Sequence, residues 1–281
     1  NLEKKIKSMT LNCNGKILDF STKKIMGIVN ISKDSFFDGG KYDSIEKVNS
    51  QVSKLIENGA DIIDLGAASS KPGSKLIEAE EEYELIHDYI NEITSNFNDV
   101  LFSIDTYNSS IADFALSKGF SIVNDISSGK YDNNMFKVVK KHKAGYIMMH
   151  MKGDPINMQE NTNYDNVVES IISFFKLKIE ELENIGFSNI IIDPGFGFGK
   201  SLNDNYEILK KFKLLKSLNK PVMAGLSRKS MIYKVLNNSP DDALNGTTVL
   251  NTLVLQNGAD MIRVHDVEEA MEIKKLLEKL N

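Results

Sequence analysis

Asn58-Gly-Ala-Asp-Ile-Ile-Asp64 contains the unit from which the chain is built: a helix end, a tight turn and a short apolar strand that finishes on a carboxylate. A glycine at this point is typical of a helix stop. Asn257-Gly-Ala-Asp-Met-Ile-Arg263 repeats the pattern near the other end of the sequence. The repeat predicts two equivalent helix-to-strand joints, with Asp64 and Arg263 at equivalent strand ends.

Short apolar runs recur between helical patterns along the whole sequence. Four more of them finish on Asn30, Asp105, Asn124 and Asp193, and the last one finishes on Arg263-Val-His265. Short buried strands that alternate with helices are typical of parallel sheets. We expect eight such strands, near residues 25–30, 60–65, 100–105, 120–124, 145–150, 190–193, 221–225 and 260–265.

Eight strand–helix units with no linker between them predict an α/β fold made of a single (β/α)8 TIM barrel. An open doubly wound sheet is the weaker alternative. Residues 10–20 predict a β-hairpin, because Asn14-Gly15 is a strong turn signal between two short strands. We therefore divide the chain into an N-terminal hairpin extension, residues 1–23, and a (β/α)8 barrel domain, residues 24–281.

Helices are indicated by apolar residues at helical spacing and by capping signals. One apolar face runs through residues 45–56, and Gly59 is its stop. Ser239-Pro240 has the form of an N-cap followed by a first-turn proline. We therefore expect a helix to begin at Ser239-Pro240 and to end near Gly258.

The composition argues against several classes of partner. The chain has 281 residues and a formal net charge of −5, so it lacks the basic excess of most nucleic-acid-binding proteins. It contains neither an apolar run of membrane-spanning length nor a signal-peptide pattern, and we expect no membrane partner and a cytoplasmic location. Cys13 is the only cysteine, and we expect a small apolar side chain in the hairpin.

Basic and hydroxyl side chains follow the last two predicted strands. Gly225-Leu-Ser-Arg-Lys-Ser230 comes after the seventh strand, and Arg263-Val-His265 ends the eighth. Loops at these positions of a TIM barrel often bind phosphate, and an arginine can hold phosphate oxygens bidentately. The sequence therefore predicts an anion site. The alternative is a structural ion pair between one of these bases and a strand-end aspartate.

The acidic strand ends indicate a different kind of ligand. Carboxylates only accept hydrogen bonds, whereas an amide both donates and accepts. Asp105, Asn124 and Asp193 therefore suit a flat heterocycle with amino and ring N–H donors, and a Mg²⁺ site is the alternative for the same three residues. His150 follows the fifth strand among methionines, and we expect it to be packed and hydrogen-bonded rather than catalytic.

Taken in order, these motifs resemble those of the dihydropteroate synthases, a family of pterin-binding TIM barrels. Each motif is weak alone, but the series at successive strand ends is specific. The resemblance begins at residue 24 and rests on Met26-Gly-Ile-Val-Asn30 with Asp34-Ser-Phe36 and Asp38-Gly-Gly40, Gly59-Ala-Asp-Ile-Ile-Asp64 with Pro72-Gly73, Ser103-Ile-Asp-Thr106, Asn124-Asp125, Met149-His-Met151 with Met158-Gln159, Asp193-Pro-Gly195 with Gly197-Phe-Gly-Lys200, Ser227-Arg-Lys229 and Arg263-Val-His-Asp-Val267.

The resemblance implies that 7,8-dihydropterin-6-ylmethyl diphosphate and 4-aminobenzoate are condensed to 7,8-dihydropteroate and pyrophosphate in folate biosynthesis. It also implies Mg²⁺ as a cofactor, sensitivity to sulfonamides and a homodimer. The implied metal ligand is Asn30, and the implied catalytic residues are Lys229, Asp105 and Arg263. The implied substrate-binding residues are Asp105, Asn124, Asp193 and Lys229 at the pterin, Arg263 and His265 at the diphosphate, Phe198, Lys229, Ser230 and Ser70 at the aminobenzoate, and Asp64 as a supporting group.

Two loops depart from the family pattern. Ser32-Lys33-Asp34 replaces the usual Thr-Pro-Asp of the first loop, and Phe37 replaces a usual serine. In the second loop, Ser69-Ser70-Lys71-Pro72-Gly73 replaces Ser-Thr-Arg-Pro-Gly, and lysine lacks the planar fork of arginine. We therefore expect affinities for aminobenzoate and for sulfonamides to differ from those of typical members; identical inhibition constants measured side by side would contradict this.

Two other functions share parts of this pattern. A pterin-barrel methyltransferase, which moves a methyl group from a folate to a corrinoid, would have the same acidic residues. The Ser227-Arg-Lys229 and Arg263-Val-His265 segments favour the synthase over it. A non-catalytic pterin-binding barrel would keep the fold and lose turnover, and the complete set of bases argues against that alternative.

Overall fold

A computed structural model of the chain describes residues 9–31, 40–67, 73, 75–160 and 162–280. This part of the chain contains ten β-strands, and the bounds of the predicted strands agree with them to within a few residues. The strands are β1 (Thr10–Cys13), β2 (Lys16–Asp19), β3 (Lys24–Asn30), β4 (Ile62–Gly66), β5 (Leu101–Asp105), β6 (Ile122–Asp125), β7 (Gly145–Met149), β8 (Ile190–Asp193), β9 (Met223–Ala224) and β10 (Met261–Val264).

Strands β3 to β10 form one parallel sheet that closes on itself. Neighbours follow chain order from β3 to β8, and β10 pairs with β3 on one side and with β9 on the other. A bridge between Ile192 and Val222, with a 3.0 Å hydrogen bond from Ile192 N to Pro221 O, joins β8 to the start of β9. The ring confirms the (β/α)8 barrel, because an open sheet would leave two unpaired edges.

Helices surround the ring and bury their apolar faces against it. In the first helix the predicted face is confirmed, since Val48, Val52 and Leu55 are buried and Gly59 ends the segment with φ +97°. No helix in the described ranges is long and apolar enough to cross a membrane. The helices are α1 (Gly40–Glu57), α2 (Ala79–Asn96), α3 (Ser109–Ser117), α4 (Met135–His142), α5 (Val167–Asn184), α6 (Leu202–Lys210), α7 (Ser230–Leu236), α8 (Leu244–Gln256) and α9 (Val267–Glu278), with a 3-10 helix at Phe212–Leu218.

The predicted start of α8 is wrong. The helix begins at Leu244 and not at Ser239-Pro240. Ser239 Oγ instead donates to Asp242 Oδ2 at 2.6 Å in a local turn. In addition, Pro240 O accepts from Arg228 Nη1 at 3.1 Å and from Ala243 N, three residues on, at 3.3 Å, so this carbonyl closes a tight turn and not the first turn of an α-helix.

The sequence repeat has a physical explanation in the two helix-to-strand joints. Asp61 Oδ2 accepts from Ile25 N at 2.9 Å, and Asp260 Oδ2 accepts from Val222 N at 2.8 Å. Each aspartate therefore binds an amide at the start of a neighbouring strand: that of the second residue of β3 and that of the residue directly before β9. The common Gly-Ala-Asp sequence stops a helix and fixes the start of the adjacent strand at both places.

The N-terminal hairpin closes the end of the barrel opposite the polar mouth. Strands β1 and β2 pair antiparallel around Asn14-Gly15, as predicted, although the division of the chain at residue 23 stays a prediction. Asn14 Nδ2 donates to Phe120 O at 2.8 Å, which anchors the turn to the barrel. The hairpin adds its inward side chains to a cluster at the barrel floor, made of Leu11, Cys13, Leu18, Met26, Ile62, Ile122, Ile147, Ile191, Met223 and Met261.

We expect Leu18→Ala to lower the free energy of unfolding by about 2–5 kcal/mol, because the truncation leaves a cavity in the barrel floor. Chemical denaturation measures the loss. Ile17→Ala is the matched control, since the neighbouring side chain is 60% exposed, and it should cost less than about 0.5 kcal/mol. Equal losses in the two variants would contradict a plugging role for the hairpin.

Candidate functional site

The polar strand ends meet at one mouth of the barrel, where all parallel strands place their carboxyl ends. Asp64, Asp105, Asn124 and Asp193 are all buried there. Gly66 makes room for one of them, because a Cβ at this position would lie 2.9 Å from the Cβ of Asp105. The structure therefore brings together the acidic and amide side chains that the sequence placed on four separate strands.

One guanidinium joins these groups. Arg263 Nε donates to Asp64 Oδ2 at 2.6 Å, and Nη2 donates to Asp105 Oδ2 at 2.7 Å. Asn124 Nδ2 donates to the same Asp64 oxygen at 3.0 Å. The ion-pair alternative is therefore correct for Arg263, and the pairing offsets the cost of burying the charges. Asp64 Oδ1 has no hydrogen-bond partner in the described part of the chain, so it is available to a ligand donor.

Burial changes the acidity of two of these carboxyl groups. It raises the pKa of Asp105 to about 7, and the charge of Arg263 opposes the rise. It also raises the pKa of Asp193, and Lys229 is the main opposing charge. Removing water disfavours the ionised form of a carboxyl group. The two aspartates therefore depend on the nearby cations to remain hydrogen-bond acceptors.

Lys229 stands between the acidic group and the loop that follows β8. Its Nζ donates to Phe196 O at 2.6 Å and lies 4.9 Å from the centre of the Phe198 ring. Asp193 Oδ1 accepts from Gly195 N at 2.8 Å in the same loop. Burial lowers the pKa of Lys229 to about 8, and the Asp193 carboxylate opposes the change. An ammonium group is thus fixed beside an aromatic ring and a carboxylate.

The anion side of the mouth contains His265 and Ser227. Ser227 Oγ and His265 Nδ1 are 2.9 Å apart, and His265 N donates to Ser227 Oγ at 3.3 Å. Burial and the positive charge of Arg263 lower the pKa of His265 to about 4. Without a bound anion, the imidazole is therefore neutral at neutral pH.

Arg228 does not face the mouth, contrary to the expectation for the whole Ser-Arg-Lys segment. Its Nε and Nη2 donate to the two oxygens of Asp266 at 2.9 and 2.8 Å. Its Nη1 donates to Pro240 O and Asp241 O at 3.1 and 3.0 Å. The guanidinium therefore ties the loop before α8 to the start of α9, and an arginine in a basic motif can serve the fold alone.

The remaining predicted site residues fall into two groups. Asn30 is an exposed residue at the end of β3, and Ser230 is the first residue of α7. Ser70 lies outside the described residues, as do the altered first loop at 32–39 and Lys71. The roles predicted for those loop residues stay predictions.

His150 is packed as expected but is not fully hydrogen-bonded. Its ring lies edge-on to Phe174 with centres 5.1 Å apart. Burial lowers its pKa to about 2, so the ring is neutral. Within the described ranges Nδ1 has no hydrogen-bond partner, and the expectation of a satisfied histidine is wrong for that atom.

Glu82 of α2 supports the site, and sequence reasoning missed it. Its Oε2 accepts from Thr106 Oγ1 at 2.9 Å and from Asn108 Nδ2 at 2.6 Å. Burial raises its pKa to about 7. These bonds hold the turn directly after Asp105. Glu82 belongs to an acidic run, residues 80–82, which in sequence is indistinguishable from the solvated first turn of a helix.

Comparison with known proteins identifies relatives over nearly the whole chain. Residues 26–265 match the family model described as "Pterin binding enzyme". The dihydropteroate synthase of Bacillus subtilis (strain 168) is 35% identical over 258 residues, which cover 91% of this chain and 88% of that protein. The folic acid synthesis protein fol1 of Pneumocystis carinii is 40% identical over 275 residues, which cover 93% of this chain but only 37% of that longer protein.

Solved structures agree with the sequence comparison. A Yersinia pestis dihydropteroate synthase with a sulfonamide drug complex superposes with a TM-score of 0.90 at 32% identity and covers 97% of this chain and 99% of its own. A Xanthomonas albilineans dihydropteroate synthase with 4-aminobenzoic acid superposes with a TM-score of 0.89 at 32% identity, and the match covers 97% of this chain and 98% of that one.

We expect the side-chain ammonium of Lys229 to titrate near pH 8, well below an exposed lysine, because burial disfavours its charge. ¹⁵N NMR of the lysine side chains measures the pKa. Asp193→Asn should lower it further, since the carboxylate stabilises the ammonium. Glu207→Gln, which removes an exposed acid on α6, is the control and should leave it unchanged. A pKa near 10 in the native protein would contradict the buried placement.

Proposed function

Because this chain belongs to the pterin-binding enzyme family, as a dihydropteroate synthase, we propose the roles that its mouth residues play in that reaction. The enzyme is a transferase of alkyl groups in folate biosynthesis. It joins 7,8-dihydropterin-6-ylmethyl diphosphate to 4-aminobenzoate and releases 7,8-dihydropteroate and pyrophosphate. The methylene C–O bond breaks with its electron pair on pyrophosphate, the amine nitrogen forms the new C–N bond, and that nitrogen loses a proton.

We propose that the pterin ring lies against Asp105, Asn124 and Asp193, with Lys229 beside it and Asp64 beneath. The unpartnered Asp64 Oδ1 is the single observation that carries this role. A buried carboxylate oxygen without a donor is costly, and the amino and ring N–H groups of a pterin are donors of the required kind. Acceptors around the ring also favour the positive charge that develops at the methylene as diphosphate leaves.

We propose that the diphosphate lies on the opposite side of the mouth, against Arg263 and His265. Nε and Nη2 of Arg263 are committed to Asp64 and Asp105, so the guanidinium is held in place by the pterin side while the rest of the fork faces the leaving group. This bridging position supports a role in diphosphate binding, because the same guanidinium then interacts electrostatically with the departing oxygens and with the carboxylates at the pterin.

We propose that Mg²⁺ accompanies the diphosphate, with Asn30 as the protein ligand. The described residues contain no cluster of three His, Cys, Asp or Glu side chains suited to a metal. The exposed amide of Asn30 fits a different arrangement, in which Mg²⁺ keeps several waters and binds mainly phosphate oxygens. The ion would supply charge neutralisation of the leaving group.

We propose that aminobenzoate enters beside Phe198, Lys229 and Ser230, with Ser70 of the second loop nearby. The ring of Phe198 under the Lys229 ammonium offers an apolar face next to a positive charge, which matches an aromatic carboxylate. The solved Xanthomonas albilineans relative is described with 4-aminobenzoic acid. Nucleic acid and membrane partners are not part of the proposal, and the location proposed is the cytoplasm.

We expect Asp105→Asn to lower kcat/KM by at least about 100-fold, because it removes a charged acceptor at the ring. The variant should also have a lower thermal midpoint, because Arg263 loses one of its two buried carboxylate partners, so turnover is compared at a temperature where both proteins are folded. Pyrophosphate release with both substrates and Mg²⁺ measures turnover. Asp113→Asn, an exposed acid on α3, is the control. Omitting Mg²⁺ should weaken calorimetric binding of the pterin diphosphate. An active Asp105→Asn enzyme would refute the ring assignment.

The same assay separates the rival functions. A non-catalytic barrel would bind the pterin diphosphate and release no pyrophosphate in the presence of 4-aminobenzoate. A corrinoid methyltransferase would neither release pyrophosphate nor discriminate for the diphosphate in calorimetry. Release of one pyrophosphate for each 7,8-dihydropteroate formed supports the synthase and excludes both alternatives.

We propose a homodimer formed through α7 and α8. Val249 and Leu253 on α8 are 49% and 42% exposed, whereas Leu250 on the same helix is buried against the barrel.

We expect Leu253→Glu to give a monomer by light scattering. Leu177→Glu on α5, where the leucine is 70% exposed, should stay dimeric, and a monomeric native protein would contradict the proposal.

A further inference from the structure

The loop after β8, residues 194–200, is fastened by side chains at every carbonyl from Gly195 to Gly199. Donors come from the segment after β7 and from the segment after β9. Gln159 Nε2 donates to Gly197 O at 2.6 Å, and Tyr164 OH donates to Gly199 O at 3.0 Å. Lys229 Nζ donates to Phe196 O, and Lys200 Nζ donates to the remaining two carbonyls, Gly195 O and Phe198 O, each at 2.9 Å.

Lys200 also fastens this loop to the neighbouring strand. Its Nζ makes a third bond, 3.0 Å long, to His150 O directly after β7. Gly195 allows this close approach, because with φ +69° a Cβ would lie 2.2 Å from the same carbonyl. All three donors of one ammonium are thus used on main-chain oxygens. The geometry is that of a fastener between β7 and the loop that presents Phe198.

Lys200 has no path to a substrate. Its side chain is only 2% exposed, and its three bonds all go to the main chain. Burial lowers its pKa to about 7, while the Asp193 carboxylate opposes the change. A neutral amine donates only two hydrogen bonds, so the full set of three requires the ammonium form. Burying the Lys200 ammonium is costly, and because it contacts only the main chain, direct substrate binding does not explain why a lysine stands at this position.

We propose that Lys200 is a positioning residue for the aminobenzoate half-site, which acts by fixing the loop that presents Phe198. This inference rests on the proposed function, since it assigns Phe198 to that half-site. The pterin half-site depends less on this loop. Asp64 and Asp105 are held by Arg263 and Asn124, and the loop contributes only the bonds of Gly195 N to Asp193 and of Phe196 O to Lys229. Loss of Lys200 therefore affects the two substrates unequally.

The test is Lys200→Met, which keeps the length of the side chain and removes all three donors. We expect the KM for 4-aminobenzoate to rise roughly tenfold, because moving a binding group by about 1 Å is enough to weaken its interactions by this amount. Calorimetric affinity for the pterin diphosphate should change less than about twofold. The Phe198 amide, which donates to Gly195 O at 3.1 Å, should exchange with deuterium faster.

Lys16→Met is the matched control. Lys16 Nζ also donates to two main-chain carbonyls, Asn98 O at 2.9 Å and Val100 O at 2.7 Å, but it does so at the opposite end of the barrel. This variant should alter the thermal midpoint without changing the ratio of the two substrate affinities. A Lys200→Met enzyme whose two affinities fall together, as they would after general loosening, overturns the inference.

A double-mutant cycle with Phe198→Leu tests the route of the effect. If Lys200 acts through Phe198, the second substitution should add little to the KM for 4-aminobenzoate in the Lys200→Met background. Full additivity overturns the inference. Failure of the proposed function is separate: a native protein that releases no pyrophosphate refutes the function, whereas the exchange rate of the Phe198 amide reports on Lys200 without any turnover.

Discussion

The bridge from Arg263 to Asp64 and Asp105 is the interaction on which the mouth of the barrel depends. It connects β10 with β4 and β5, with bonds of 2.6 and 2.7 Å. Two carboxylates buried side by side would repel each other, and removing one partner of a buried pair typically costs about 3–5 kcal/mol. The bridge holds two carboxylates and one cation together at the mouth, which is the arrangement that the proposed pterin and diphosphate sites require.

The two lysines beside Asp193 differ in their burial and in their bonds, since Lys200 is buried and Lys229 is partly exposed. Lys229 has one bond to the main chain, to Phe196 O, and faces the ring of Phe198 and the acidic group. Lys200 donates all three of its ammonium hydrogens to main-chain carbonyls. The number of main-chain bonds therefore separates Lys229, for which we propose substrate contact, from Lys200, which holds the loop, and the sequence alone does not show this difference.

Much of this architecture is readable from sequence, because local rules and tertiary contacts agree. The Gly-Ala-Asp joints at residues 59–61 and 258–260 stop a helix through the positive φ of glycine, which is a local requirement. Their carboxylates add tertiary contacts in agreement with it, because they accept from amides 36 and 38 residues away. Where they disagree, tertiary contacts win. Pro240 has the local signal of a helix start, yet its carbonyl accepts from Arg228 Nη1 and from Ala243 N in a tight turn, and the helix begins later at Leu244.

By itself the sequence determined the eight strands, the hairpin, and the placement of Asp64, Asp105, Asn124, Asp193 and Arg263 at strand ends, because strand period and turn chemistry are local properties. Only the tertiary structure decided which of these groups pair. Arg263 and Asp64 are 199 residues apart in sequence, and the burial that creates the roles of Glu82 and Lys200 arises when distant segments enclose them. Pairing and desolvation depend on distances in space, which residue order alone does not encode.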